Sequence, residues 1–262
     1  MDRLFDLVFV RPPSDSYANC VSTNPARTRI DVSLAKKQHR EYVSILKRAG
    51  VEVIELAPLN SYPDSVFMQD PAILGSRHSV VGRFGEQRRR GEEEALVQSL
   101  NDHKDKVGSV SHVEPPGTLE GGDIVVTDRG IFVGKSTRTN AEGIKQLAKH
   151  LSGLEVKPVE TSLLHLLCGC SYLTDGTMII APELVSTEAF PGFTFVAIPK
   201  EEAYACDALY VGYGKVVIPS GFPLAATSLR NAGYTPLEVD ISEFYKGDGG
   251  VTCLASPVYK LF

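Results

Sequence analysis

Asp123-Ile124-Val125-Val126-Thr127-Asp128-Arg129-Gly130-Ile131-Phe132-Val133-Gly134 reads as two apolar strands rich in β-branched residues, joined by a tight polar turn at Asp128-Arg129-Gly130. Just beyond it, Thr139 and Glu142 have capping-box spacing, and Ile144, Leu147, Ala148 and Leu151 form one apolar stripe at helical period. The unit is therefore strand, turn, strand, helix. Working outward, the same unit recurs on both sides. Toward the N-terminus it is Asp70 to Leu74, a turn at Gly75 to His78, Ser79 to Gly82, and a helix near Glu92 to Leu100 with Ala95, Leu96 and Leu100 on one side. Toward the C-terminus it is Ala208 to Val211, a turn at Gly212-Tyr213-Gly214, Lys215 to Ile218, and a helix from about Pro223, with Pro in its first turn, to Gly233 just past its end.

Weaker copies fit Ser171 to Ala181, with its Asp175-Gly176 turn, and the strand Leu7 to Val10 with a helix Ser33 to Ala49 stopped by Gly50. About five units at a spacing of about fifty residues cannot bury their faces alone, which favours radial closure into an α/β propeller with the helices outside. An open α/β sheet with irregular insertions is the competing architecture.

The chain has 262 residues, 43% hydrophobic and 23% charged, which is enough apolar material for a sizeable core and excludes disorder and collagen. No linker divides it, so one domain spanning 1–262 is expected. A net charge of -5 gives no basic field, so nucleic acid is not an expected partner. Apolar runs such as Leu209-Tyr210-Val211 are too short to span a bilayer, and Met1 to Asp6 lacks a signal-peptide core, so the expected location is the cytoplasm. Five cysteines, Cys20, Cys168, Cys170, Cys206 and Cys253, are an odd and sparse set that suits reduced thiols.

Phosphate loops, dinucleotide fingerprints, His-Glu-x-x-His and Gly-x-Ser-x-Gly are all absent. What remains are polar residues where strands end and loops begin. Cys253 follows the Gly-rich run Gly247-Asp248-Gly249-Gly250, where backbone amides can approach a thiolate; a small buried hydrophobe is the equally plain alternative. His165, in an apolar run, is either a core residue or an acid/base for a distant thiol, and with Cys168 and Cys170 it has an imperfect zinc-ligand spacing. Asp64, Asp70, Glu120 and Asp123 suit turns, yet carboxylates converging on a thiol suit a cation, above all a planar guanidinium. Arg89 and Arg138 are either solvated charges or receivers of a substrate carboxylate.

Taken in series, Asp64 to Asp70, Leu119-Glu120-Gly121-Gly122-Asp123 through Gly143, the His165 segment and Gly249 to Cys253 resemble the dimethylarginine dimethylaminohydrolases of the pentein superfamily of guanidine-modifying enzymes, over nearly the whole chain. The resemblance implies a five-bladed α/β propeller of ββαβ repeats with the active site in the central channel. It implies Cys253 as nucleophile, His165 as general acid/base and Glu120 as its orienting carboxylate. Asp64 and Asp70 match positions that hold the guanidinium, Arg89 and Arg138 those that grip the substrate carboxylate, and Gln69 stands where relatives have a glutamate touching the substrate. Tyr17 falls where relatives have a leucine on a mobile loop over the site. Leu167, two residues after His165, replaces an aspartate of the arginine deiminases, which favours the methylarginine branch.

The implied reaction converts Nω-methylated arginines to citrulline and an alkylamine through a covalent Cys253 thiouronium, with no cofactor and no metal, on a small guanidino amino acid and in a chain compatible with homo-oligomers. Three alternatives stay open: hydrolysis of arginine or another small guanidine, a non-catalytic pentein that binds a macromolecule, and zinc storage or sensing through Cys168, Cys170 and His165.

Overall fold

Each apolar segment between turn residues forms a strand, and the order repeats five times. In the computed structural model, which describes residues 3–262, β1 (Phe5–Val10), α1 (Val32–Arg48) and β2 (Glu52–Glu55) come first. They are followed by β3 (Ala72–Gly75), β4 (His78–Val81), α2 (Glu92–Leu100) and β5 (Ser109–His112), then β6 (Ile124–Thr127), β7 (Gly130–Lys135), α3 (Ala141–His150) and β8 (Val156–Glu160). The last units are β9 (Cys170–Tyr172), β10 (Thr177–Ile180) and β11 (Thr194–Ala197), then β12 (Leu209–Gly212), β13 (Lys215–Pro219), α4 (Pro223–Asn231) and β14 (Thr235–Val239). A short α5 (Ser242–Tyr245) leads into β15 (Ala255–Tyr259).

Within every unit the middle strand runs antiparallel to the first and parallel to the third: β6-β7-β8, β9-β10-β11, β12-β13-β14 and β3-β4-β5. The fifth unit takes its first strand from the other end of the chain. β15 pairs antiparallel with β1, with Phe9 opposite Ser256, and β1 pairs parallel with β2. β15 also runs parallel to β3, with Val258 opposite Leu74, so two blades share a six-stranded sheet and the ring is closed by hydrogen bonds. Burial gives the radial order. β3, β6 and β12 are buried at every residue, whereas β2 and β5 contain no buried residue. First strands thus face a central channel and third strands face solvent, and the architecture is the five-bladed α/β propeller.

Helix ends follow their caps. The Asp31 side chain accepts from the amides of Ser33 and Leu34, and α1 stops before Gly50, whose φ of +81° few other residues adopt cheaply. α3 differs from the expected capping box. Its cap is Asn140, whose Oδ1 accepts from Gly143 at 2.9 Å, because the Thr139 hydroxyl is taken by the buried amide of Glu120 at 3.0 Å. The unit at Ser171 to Ala181 has no α-helix between β10 and β11. Pro182 and Pro191 bracket that connection, which makes only a short 3₁₀ turn at Thr187–Ala189. None of the described helices is long and apolar enough to cross a membrane.

Candidate active site

A repeated unit closed into a ring brings equivalent positions together, and the polar residues cluster for that reason. Cys253, Asp70, Asp207 and Cys168 each stand two residues ahead of the innermost strand of a different blade, β15, β3, β12 and β9, and Asp123 stands directly ahead of β6. His165 precedes the turn into β9, and Glu120 precedes the Gly121–Asp123 turn into β6. Arg89 ends a 3₁₀ turn ahead of α2, and Arg138 lies between β7 and α3. Asp64, Asp70, Arg89, Arg138, His165 and Cys253 line one narrow cleft with about 20 Å³ of free volume.

His165 Nε2 lies 2.8 Å from Glu120 Oε2, and Glu120 is 0% exposed. The same carboxylate accepts from the amides of Gly85 (2.9 Å) and Glu86 (3.2 Å) and from Arg138 Nη1 (3.0 Å). Burial pushes Glu120 toward the neutral form, but the His165 hydrogen bond and the charges of His165, Arg89 and Arg138 outweigh it and hold the carboxyl well below its usual range. Burial pulls His165 down in turn, yet Asp70, Glu120 and Asp123 raise it above its ordinary value and favour its charged form. Its free nitrogen, Nδ1, faces Asp70 Oδ1 at 3.9 Å. Gly122 makes this approach feasible, since a Cβ there would stand 2.5 Å from His165 Nδ1 and 2.8 Å from Asp70 Oδ1.

Asp70 Oδ2 accepts from Arg89 Nη1 at 2.6 Å, whereas Oδ1, also buried, has no hydrogen-bond partner among the described residues. Both oxygens of Asp64 accept from the Val21 amide at 3.0 Å, and burial raises its carboxyl. Cys253 is 7% exposed; burial first, then Asp207, Asp70 and Cys168, push its thiol well above the usual range. A buried acceptor, an imidazolium and a thiol around one cleft make a site for a cation that carries an electrophilic carbon.

Three expectations need correction. Tyr17 does not cover the cleft: its ring is fully buried between Phe67 and Phe244, and its hydroxyl donates to the Glu243 carbonyl at 3.2 Å. Val21, four residues on, lines the cleft instead, because the 3₁₀ turn Tyr17–Asn19 turns the aromatic ring into the core. Gln69 also turns away, donating from Nε2 to the Gly121 carbonyl at 3.2 Å, and it faces a cavity between the inner strands. Arg89 is not a free cation, since Glu92 Oε2 takes its Nη2 at 2.9 Å while Asp70 takes Nη1. Cys170 faces the Leu166 carbonyl and His165 faces Glu120, so Cys168, Cys170 and His165 do not converge as zinc ligands; no group of three His, Cys, Asp or Glu side chains among the described residues is arranged to hold a metal.

The sequence reading missed Val21, Glu92 and Asp207. Val21 carries no chemical signal. Asp207 does, because it stands ahead of Ala208 to Val211 as Asp70 stands ahead of its own strand.

The family model for N,N dimethylarginine dimethylhydrolase, eukaryotic, matches residues 14–189. The chain is 36% identical to the N(G),N(G)-dimethylarginine dimethylaminohydrolase of Pseudomonas aeruginosa, over 96% of this chain and 99% of that one. It is 33% identical to the enzyme of that name from Streptomyces coelicolor, over 97% of each. The structure superposes on that of a Pseudomonas aeruginosa enzyme mutant complexed with citrulline with a TM-score of 0.89 and 33% identity, covering 97% of this chain and 100% of the other. On the family model, the near full-length relatives and the shared fold, the chain belongs to the dimethylarginine dimethylaminohydrolase family, hydrolases acting on guanidino carbon–nitrogen bonds.

Proposed function

We propose that the protein hydrolyses Nω-methylated arginines to citrulline and dimethylamine or methylamine, and that residues 1–262 form one catalytic domain for it. The observation that carries this reading is the unpartnered, buried Asp70 Oδ1 beside both His165 and the Cys253 cleft, an acceptor that a guanidinium N–H satisfies. Asp64 supplies a second carboxylate for the cation. Arg138, partly exposed and paired through one nitrogen, is assigned to the substrate carboxylate; Arg89, held by Asp70 and Glu92, is assigned to fixing Asp70. Val21 replaces Tyr17 as the residue over the site.

Cys253, as thiolate, attacks the guanidinium carbon. His165, already protonated, gives its proton to the departing amine, a contribution of roughly 10²–10⁴ in rate for a positioned acid. Amine loss leaves a thiouronium on Cys253, and the now neutral His165 takes a proton from the attacking water. Glu120 holds the ring and favours its charged form. The guanidinium carbon is electrophilic as soon as its charge is fixed, which is why these side chains suffice for the chemistry. A thiol nucleophile among five unpaired cysteines suits the cytoplasm.

Product analysis tests the reading. Asymmetric dimethylarginine, monomethylarginine and arginine are supplied separately and citrulline and amine are followed, with Cys253→Ser as control. Citrulline with dimethylamine, lost in the variant, is the expected result. Turnover of arginine alone keeps the mechanism and replaces the substrate, and no turnover of any guanidino compound overturns the proposal.

A further inference from the structure

Next to Cys253 lies a carboxylate that the steps above leave without a task. Asp207 is 3% exposed, its Oδ1 accepts the Thr252 amide at 2.7 Å, and its Oδ2 lies 3.7 Å from Cys253 Sγ. One oxygen thus has a structural partner and the other faces the thiol. Gly250 permits this packing, since a Cβ there would stand 2.2 Å from the carboxyl carbon. Among the described residues, the ionisable groups seen to interact with Asp207 are Cys253, Asp70, Cys168, Cys206, Tyr42 and Tyr204, each of them an acid. The cations of the cleft are engaged elsewhere, Arg89 on Asp70 and Glu92, and Arg138 and His165 on Glu120. Burying an uncompensated carboxylate costs stability, and an asparagine would accept the Thr252 amide equally well. The negative charge therefore has no structural purpose in this packing.

The nucleophile needs a proton acceptor, and His165 does not supply one. Its nitrogens are directed elsewhere, Nε2 to Glu120 and Nδ1 toward Asp70. We propose that Asp207 is a further catalytic residue, whose Oδ2 accepts the Cys253 thiol proton when the guanidinium docks and returns it when the carbon–sulfur bond breaks. This rests on the hydrolase reading above.

In the first step the S–H bond breaks and an O–H bond forms on Asp207, leaving a thiolate and a neutral carboxyl. The thiolate electron pair makes the S–C bond, and a C=N π pair moves onto nitrogen. After water has added, the C–S bond breaks with its pair on sulfur, and the Asp207 carboxyl gives the proton back to Sγ. Burial raises Asp207 to about 6, and the thiol lies far above it, so the proton stays on sulfur until a cation arrives. A cation at Asp70 favours the thiolate, the direction in which the proton passes to Asp207. Asp207 and His165 thus divide the work, one serving the nucleophile and the other the leaving group and water.

Asp207→Asn keeps the size and the Thr252 acceptor and removes the base. Two opposite changes are expected. Turnover of asymmetric dimethylarginine falls by about 10²–10⁴-fold, while Cys253 in the free protein becomes easier to alkylate with iodoacetamide, its pH midpoint moving down by about one unit as the neighbouring charge is lost. A structural defect also lowers turnover and, by exposing the buried thiol, speeds alkylation, so the two arms are read on a variant whose melting curve matches that of the wild type. Turnover close to that of the wild type, or an unmoved alkylation midpoint, overturns the proposal. If the wild-type protein turns over no guanidino compound, the hydrolase reading fails on its own, and the alkylation arm still reports the coupling of Asp207 to Cys253. A measurement on the wild type covers the case in which the variant does not fold. Alkylation by 2-chloroacetamidine, in which the thiolate displaces chloride, is followed by infrared difference spectroscopy. A transient protonated-carboxyl band is expected in the time-resolved difference spectrum, before the carboxyl releases its proton to solvent, and its absence overturns the assignment.

Discussion

Arg89 Nη1 lies 2.6 Å from Asp70 Oδ2 with both side chains buried, so the protein's own guanidinium satisfies one oxygen of the carboxylate and leaves Oδ1 open. The pair fixes Asp70 in orientation while half of its acceptor capacity faces the cleft. Arg89 also stacks 4.4 Å from the Phe84 ring centroid, and Glu92 holds its other edge.

Asp70→Asn is expected to act on both stability and binding. Leaving Arg89 with one buried carboxylate fewer costs about 3–5 kcal/mol by analogy with broken buried ion pairs, and loss of a charged acceptor lowers kcat/KM by roughly 10–150-fold. Asp64→Asn, which leaves Arg89 its two partners, is expected to show the kinetic loss with the smaller change in melting temperature. Thermal unfolding beside steady-state kinetics separates the two, and equal melting losses would contradict the pairing described here.

His165 and Glu120 are expected to titrate as a unit in the pH–rate profile. His165 must be protonated to serve as acid, and Glu120 is one of the charges that raises its pKa. Activity that depends on imidazolium is present below the folded pKa and lost as pH rises through it. Glu120→Gln therefore moves the alkaline limb of kcat downward, in addition to lowering its height. His165→Gln is expected to lose about 10²–10⁴-fold in kcat.

Tyr17 and Val21 are expected to behave as core and cleft residues respectively. Tyr17→Ala removes a ring packed on Phe67 and Phe244 and costs about 3–5 kcal/mol of stability, as aromatic truncations in cores do. Val21→Ala leaves the melting temperature nearly unchanged and raises KM for methylated arginine. A kinetic effect confined to Tyr17 would reverse the assignment.

His39 is expected to set part of the acid sensitivity of the fold. Its ring on α1 is 0% exposed with no hydrogen bond at either nitrogen among the described residues, and burial, with a smaller effect of Arg40, lowers it to about 4 from 6.5. The unfolded chain binds the proton more readily, so this stability is intact above pH 6.5 and lost progressively as pH falls toward 4, by roughly 3 kcal/mol in all. Between pH 8 and 4 the melting temperature of His39→Leu is expected to fall less than that of the wild type, and an equal fall in both would contradict the assignment.

Strand pairs, turns and helices were legible because their signals are local: apolar runs between Gly and Asp turns, and stripes at helical period. The five units follow from that pattern, whereas the missing helix after β10 departs from it, Pro182 and Pro191 bracketing that connection. Cys253, His165, Glu120, Asp64 and Asp70 were legible because their residue types stand in motif context, and the cleft brings four of them together with Glu120 behind His165.

Distances across the ring have no local signal. That β15 completes the blade of β1 depends on pairing residues from opposite ends of the chain, and hydrogen bonds between such segments leave no trace in either one. Which side of a 3₁₀ turn enters the core decided between Tyr17 and Val21, and three-residue turns are too short to show a period. Arg89 reads as a free cation until Glu92 and Asp70 are seen around it, and Asp207 reads as a loop residue until β12 brings it beside Cys253. The sequence by itself determined the repeated unit and the chemical types available to the site. Only the tertiary structure decided which charges neutralise one another and which remain for a substrate, because electrostatic pairing depends on through-space distance and burial rather than on order along the chain.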